Sequence, residues 1–142
     1  MNIAEIENEL IEQFSIFDLW DDKYQYLIDM AKALPILDEK YKTPDRLIKG
    51  CQSQVWLHTE LINGKIIFHA DSDAIITKGI VALLLKVFSG HAPKEIIEAQ
   101  LNFINKIGLA EHLSPTRANG LVAMIKQMKM DAFVMQSNST MK

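Results

Sequence analysis

The sequence predicts an α+β fold of two layers, in which a small antiparallel sheet, a hairpin or three strands, is flanked by helices. Two observations predict it. Residues 55–70 alternate apolar and polar side chains on either side of Asn63-Gly64, the period-two pattern of a half-buried hairpin. Before and after that stretch, apolar residues recur at three- and four-residue spacing, the period of amphipathic helices. Helices before and after one short sheet make a layer packed on a layer.

The elements follow in order. Ile3, Ile6, Leu10 and Phe14 mark a first helix, and Trp20, Tyr24, Leu27, Ala31 and Leu34 a second, with Asp18 or Asp21 as its expected N-cap and Pro35 as its stop. Residues 35–49 are charged and contain Thr43-Pro44, which reads as an extended connection with a short strand at residues 46–48. Val55, Leu57, Thr59 and Leu61 alternate with Trp56, His58 and Glu60, and Ile66, Phe68 and Ala70 resume the alternation after a type I′ turn at Asn63-Gly64. Asp71, Ser72 and Asp73 read as a helix start, with Ser72 or Asp73 as the cap. Ile75, Ile76, Ile80, Leu83, Leu84 and Val87 then give a central helix a broad apolar face up to Gly90. Pro93 opens a short helix, and residues 101–107 form another that Gly108 ends. Ser114-Pro115 starts the last, which carries Ala118, Leu121, Ile125, Met128 and Ala132 on one side. Met124, Met128, Met130 and Met135 read as core and helix formers. Residues 1–135 form one domain and residues 136–142 a polar, frayed tail.

Composition limits the function classes. A chain of 142 residues with a net charge of −3 fits one domain. Its dispersed Lys and Arg do not indicate a nucleic-acid or acidic-membrane surface. No apolar run approaches the ~18 to 20 residues of a membrane span. The start, MNIAEIENEL, is acidic and amphipathic, unlike a signal peptide, and the expected compartment is a reducing cytoplasm.

There is one cysteine, Cys51, so an internal disulfide is excluded and a metal or cluster site built from Cys alone is not expected. A lone Cys is often a small core hydrophobe. The flanks of Cys51 point to chemistry instead: Lys49, Gln52, Ser53 and Gln54 are polar or basic, and Arg46 lies five positions back. Cations beside a thiol favour the thiolate, which is the nucleophile. Gly50 admits positive φ and lets another backbone or a bulky partner approach the sulfur. Val55, Trp56 and Leu57 are expected to shelter that sulfur or to be core.

Residues 48–56, IKGCQSQVW, resemble the active-cysteine signature of the SufE family of sulfur acceptors. Further motifs run in the family's order. Trp20, Lys23 and Tyr24 resemble its W-x-x-K-Y, Leu34 and Pro35 its L-P, and Asp71, Ser72, Asp73, Ala74, Lys78 and Gly79 its D-S-D-A-x-x-x-K-G. Leu113, Ser114, Pro115, Arg117, Gly120 and Leu121 resemble its L-[ST]-P-x-R-x-x-G-L. The CsdE-type paralogues are less similar, with G-C-E-N-R-V-W expected where this chain has GCQSQVW.

The resemblance implies a SufE/IscU-like architecture and a role as persulfide carrier. A pyridoxal-phosphate cysteine desulfurase of the SufS kind would hand its persulfide sulfur to Cys51, be stimulated by this chain, and see the sulfur relayed to an iron-sulfur scaffold. Pyridoxal phosphate would belong to the desulfurase, leaving this chain with no cofactor or metal of its own and no stand-alone enzyme activity. A homodimer is compatible with that role. Cluster scaffolds use several cysteine ligands, which this chain lacks. The chemistry of the residues is consistent with a relay: one thiolate suffices to take a sulfur by an exchange akin to thiol-disulfide exchange, and no second Cys is present to resolve the persulfide.

Lys49, Gly50, Gln52, Ser53, Gln54, Asp73 and Arg117 are the expected loop-supporting or partner-contact residues around Cys51. For Asp71 and Asp73, helix capping is the simpler reading. Arg117 either draws a persulfide anion or is a solvated first-turn arginine, and Lys78 either touches a partner or borders a buried helix. His58 and His69 are strand fillers unless one acts as a base. Two other functions stay open: a non-covalent desulfurase-binding adaptor, and a hydrolase or transferase joining Cys51 to His69 and Asp71.

Overall fold

A computed structural model describes residues 1–140. Its sheet is the expected hairpin: β1 (Val55–Ile62) pairs antiparallel with β2 (Lys65–Ser72), from Val55 opposite Ser72 to Ile62 opposite Lys65. Asn63 and Gly64 both have positive φ, 52° and 79°, as a type I′ turn requires. Val55, Leu57, Ile66, Phe68 and Ala70 are buried on one face. No third strand forms at residues 46–48. That expectation reduces to one bridge between Leu47 and Trp56, with Ile48 N–H donating to the Val55 carbonyl at 2.9 Å. The opposite edge is covered by a bridge between Ile66 and His91. Both edges of a two-stranded ribbon are thereby partly satisfied, which matters because an isolated hairpin is marginal in water.

Among the described residues six helices accompany the ribbon: α1 (Ile3–Ser15), α2 (Trp20–Ala33), α3 (Ile75–Phe88), α4 (Pro93–Glu98), α5 (Asn102–Lys106) and α6 (Pro115–Thr140). The first is closed by a capping box between Asn2 and Glu5. The second is not capped by Asp18 or Asp21: Leu19 holds the cap position without a side-chain bond, and Asp21 and Asp22 lie in the first turn, where they complement the helix dipole. Strand β2 runs on through Ser72, so the cap of α3 is Ala74 and neither Ser72 nor Asp73 serves there. Pairing of Ser72 with Val55, and the exchange of hydrogen bonds between Asp73 and Gln54, consume the residues that capping would have used.

Helix α3 is the centre of the core. It packs on β2 and on α2 and buries Ile80, Leu83, Leu84, Val87 and Phe88, although Ile75 of its expected apolar face is 48 % exposed. Each such large side chain, fully buried, contributes about 1.5–3 kcal/mol. Gly79 permits the α2–α3 approach: a Cβ there would lie 2.4 Å from the Leu27 carbonyl oxygen. Gly108, at φ 73°, follows α5 as expected. Met124 and Met128 are core residues, whereas Met130 is half exposed. Helix α6 continues through residue 136 to Thr140, so the expected tail begins as helix, and residues 141–142 lie outside the described residues.

The connection before Cys51 is a strap of two 3₁₀ turns, Glu39–Tyr41 and Pro44–Arg46, instead of an extended run. It lies on the outer face of the hairpin, where the Tyr41 ring stacks on His58 at 3.8 Å and Lys42 sits over Trp56 at 5.6 Å. Lys42 also reaches Asp71 at 3.2 Å.

Candidate functional site

Strap, hairpin and α3 converge to present residues 49–54 as a short loop against α6. The loop is pinned at both ends. Ile48 pairs with Val55, and Gln54 N–H donates to Asp73 Oδ1 at 3.0 Å while Asp73 N–H donates to the Gln54 carbonyl at 3.3 Å. Between these anchors Gly50 takes φ +93°, a conformation that L side chains rarely adopt, and a Cβ there would approach the Ala123 Cβ to 3.2 Å. Cys51 follows, half buried, its thiol donating to the Gly120 carbonyl at 3.6 Å. Gly120 has no side chain to interpose, and a Cβ at that position would lie 3.6 Å from Cys51 Sγ.

The thiol opens on a cleft of about 300 Å³ whose walls include Ser53, Thr77, Ile80, Arg117 and Met124. Of the sequence-predicted residues, Gln52, Ser53 and Arg117 line this cleft with Cys51. Gln54 and Asp73 act from behind as the loop anchor. Lys49 is exposed beside Gly50 and does not line the cleft. Val55, Trp56 and Leu57 do not shelter the sulfur: Val55 and Leu57 face the core, Trp56 lies under Lys42, and α3 and α6 supply the walls. Thr77, Ile80 and Met124 were not legible as cleft residues. The available signal was Thr77 itself, a hydroxyl three positions before Ile80 on an apolar helix.

Electrostatics at the sulfur also differ from expectation. Burial pushes the Cys51 thiol above the usual cysteine range, so the resting group is the thiol. Arg46 does not offset this, because its guanidinium lies 5.0 Å from the Tyr41 ring centroid and hydrogen-bonds His58 Nδ1 and Thr43 Oγ1. Among the described residues no histidine lines the cleft. His58 and His69 face each other across the hairpin and share Glu60, at 2.9 and 3.6 Å, and the His58 hydrogen bond holds the Glu60 carboxyl below its ordinary range. Asp71, read as a capping residue or a histidine orienter, bridges Lys42 and Lys78 at 3.2 Å each. Burial raises its carboxyl, but the Ser72 N–H, Lys78 and Lys42 outweigh that and hold it below the usual carboxylate range. A Cys51, His69 and Asp71 constellation is therefore not assembled. Among the described residues no group of three or more His, Cys, Asp and Glu is placed to hold a metal ion, and no helix is long and apolar enough to cross a membrane.

Residues 8–132, which contain the loop, the cleft and the central helix α3, match the family model of SufE, an Fe-S metabolism associated domain. The chain belongs to the SufE family. It is 41 % identical over 130 residues to an uncharacterized SufE-like protein of Rhizobium meliloti (strain 1021), covering 88 % of this chain and 93 % of that one. A second uncharacterized SufE-like protein, from Rhizobium etli, is 41 % identical over 132 residues, covering 89 % of each chain. The solution structure of a hypothetical protein from Thermus thermophilus shares the fold with a TM-score of 0.78 at 20 % identity, over 93 % of this chain and 96 % of that chain.

The SufE motifs have physical roles in this structure. Trp20 stacks on His112 at 3.9 Å and the Tyr24 hydroxyl donates to the His112 carbonyl, so the second helix holds the turn that leads into α6. Lys23 lies over the Trp20 ring at 4.8 Å. Gly79 sets the α2–α3 distance, and Gly120 the distance from α6 to the thiol. Of these motif residues Gly120 meets Cys51 directly, whereas the others set the packing of the helices.

Proposed function

We propose that this SufE protein is a sulfur acceptor: Cys51 takes the persulfide sulfur of a cysteine desulfurase, stimulates that enzyme by removing its product, and relays the sulfur to an iron-sulfur scaffold. The carrying observation is the Cys51 thiol itself, held on a two-anchored loop over a cleft with room beyond the sulfur and no histidine base in its wall. That arrangement suits a carrier that is inert alone. Membership of a family in Fe-S metabolism supports the same reading.

The transfer needs no group that the two proteins lack. Cys51 loses its proton, its thiolate attacks the outer sulfur of the donor persulfide, an S–S bond forms on Sγ, and the donor's S–S bond breaks with the electron pair leaving on the donor thiolate. The raised thiol means that ionisation accompanies docking, when the loop leaves Gly120 and meets the donor's site. Pyridoxal phosphate does its chemistry in the desulfurase. The relay operates in a reducing cytoplasm, where a single thiol stays free.

Intact-mass spectrometry after incubation with an active desulfurase and cysteine tests this. The expected result is a gain of one sulfur atom, reversed by reductant and absent from Cys51→Ser. If Cys51→Ser retains full stimulation of the desulfurase, the protein is a non-covalent adaptor and the relay is wrong.

A further inference from the structure

Thr77 lies in the first turn of α3 and is 6 % exposed, yet it lines the Cys51 cleft together with Ile80. A threonine so buried in a helix ordinarily gives its hydroxyl to the carbonyl one turn back or to a nearby side chain. Among the described residues the Thr77 hydroxyl has no such partner, and it is not sealed away from solvent. Its open side is the cleft.

Loading changes what the cleft must bind. At rest, the Cys51 S–H donates to the Gly120 carbonyl. A persulfide has no hydrogen left on Sγ, and its terminal sulfur is more acidic than a thiol, so the loaded residue presents an anionic sulfur that a carbonyl oxygen repels. The outer sulfur must turn from Gly120 toward donors. Gln52, Ser114, Thr116 and Arg117 are exposed at the rim, where water competes with them for the anion, and Ser53 is only half buried. The buried donor with nothing to do is the Thr77 hydroxyl.

We infer that Thr77 is the hydrogen-bond donor that receives the outer, anionic sulfur of the Cys51 persulfide inside the cleft. This rests on the sulfur-acceptor reading and goes beyond it by naming the group that holds the cargo. Thr77 is a binding residue for the loaded state and has no part in the resting one.

The test uses the full chain loaded without a desulfurase. With inorganic polysulfide, the Cys51 thiolate attacks a terminal sulfur, forming the Sγ–S bond and releasing a polysulfide shorter by one sulfur. After desalting, cyanide attacks the outer sulfur, forming a C–S bond, breaking the persulfide bond and returning the electron pair to Cys51 as thiolate while thiocyanate leaves. The rate of thiocyanate release is compared among wild type, Thr77→Val and Thr77→Ser, with loading checked by intact mass and folding by circular dichroism. The expected result is release about tenfold faster from Thr77→Val, as for loss of one hydrogen bond to a charged group, and a near-wild-type rate from Thr77→Ser. Thr77→Ala serves in place of the Val variant should the latter not fold. Equal rates in wild type and Thr77→Val would overturn the inference, as would a Ser variant as fast as the Val variant, which assigns the effect to the lost methyl group. A wild type that retains no sulfur at all sinks the acceptor reading first, and this inference with it.

Discussion

Gln54 and Asp73 hold each other twice, through the Asp73 carboxylate on the Gln54 N–H at 3.0 Å and the Gln54 carbonyl on the Asp73 N–H at 3.3 Å. The pairing ties the downstream end of the Cys51 loop to the entry of α3, so the thiol can leave its cleft only by breaking or carrying this anchor. Asp73→Ala removes the side-chain bond, worth about 1 kcal/mol, and leaves the backbone one. Alkylation of Cys51 by iodoacetamide should then run about fivefold faster at fixed pH. An unchanged rate would mean that the Asp73 carboxylate does not limit release of the loop.

The raised thiol makes a signed prediction about pH. Burial disfavours the thiolate, so the pH-rate profile for alkylation of folded Cys51 should have its midpoint above that of the same chain unfolded in urea. By linkage, the folded state then binds the proton more tightly, and this group's contribution to stability is complete below the unfolded midpoint and declines as pH rises through the folded one. A folded midpoint at or below the unfolded value would show a cation acting on the sulfur. That was the expectation drawn from Lys49 and Arg46.

That expectation marks where the sequence stops being readable. The hairpin was legible because its alternation and Asn63-Gly64 turn are local, and Cys51 because a lone thiol after Gly50 in polar company is unusual. The strap was not legible because its two 3₁₀ turns are stabilised by contacts far along the chain, Tyr41 on His58 and Lys42 on Asp71. The same pairings account for the errors at Arg46 and Asp71, whose charges look free or cap-like until the hairpin brings their partners to them. The cleft walls were invisible for a related reason: Thr77 and Gly120 are 43 residues apart, and only the fold sets both against Cys51. Motif matching found Gly120 without supplying its purpose.

Gly79→Ala should be a fold defect with no chemical specificity. Its Cβ would fall 2.4 Å from the Leu27 carbonyl oxygen and 2.9 Å from the carbonyl carbon, both backbone atoms that cannot rotate aside. Forcing α2 and α3 apart in a close-packed core costs about 1–3 kcal/mol. The helix propensity gained on replacing Gly, up to about 1 kcal/mol, offsets only part of it. A lower urea midpoint, with Cys51 alkylation at a given folded fraction unchanged, is the expected outcome. A midpoint equal to wild type would show that the two helices slide at no cost.

Gly120→Ala separates stability from function in the opposite direction. In the middle of the second turn of α6 the added methyl removes a glycine from a helix, which by propensity alone stabilises by about 0.5–1 kcal/mol. Its contact with Cys51 Sγ, at 3.6 Å, is ordinary packing for the resting thiol, so the folded state tolerates it. Loading narrows that margin, because Sγ stays beside the methyl while the outer sulfur swings past it from the Gly120 side of the cleft toward Thr77. The variant should unfold at an equal or higher urea concentration than wild type, while the fraction of chains carrying sulfur after desulfurase treatment falls about threefold, an effect of about 0.7 kcal/mol at equilibrium. Undiminished loading in a stable Gly120→Ala protein would show that the outer sulfur reaches its place in the cleft without passing α6.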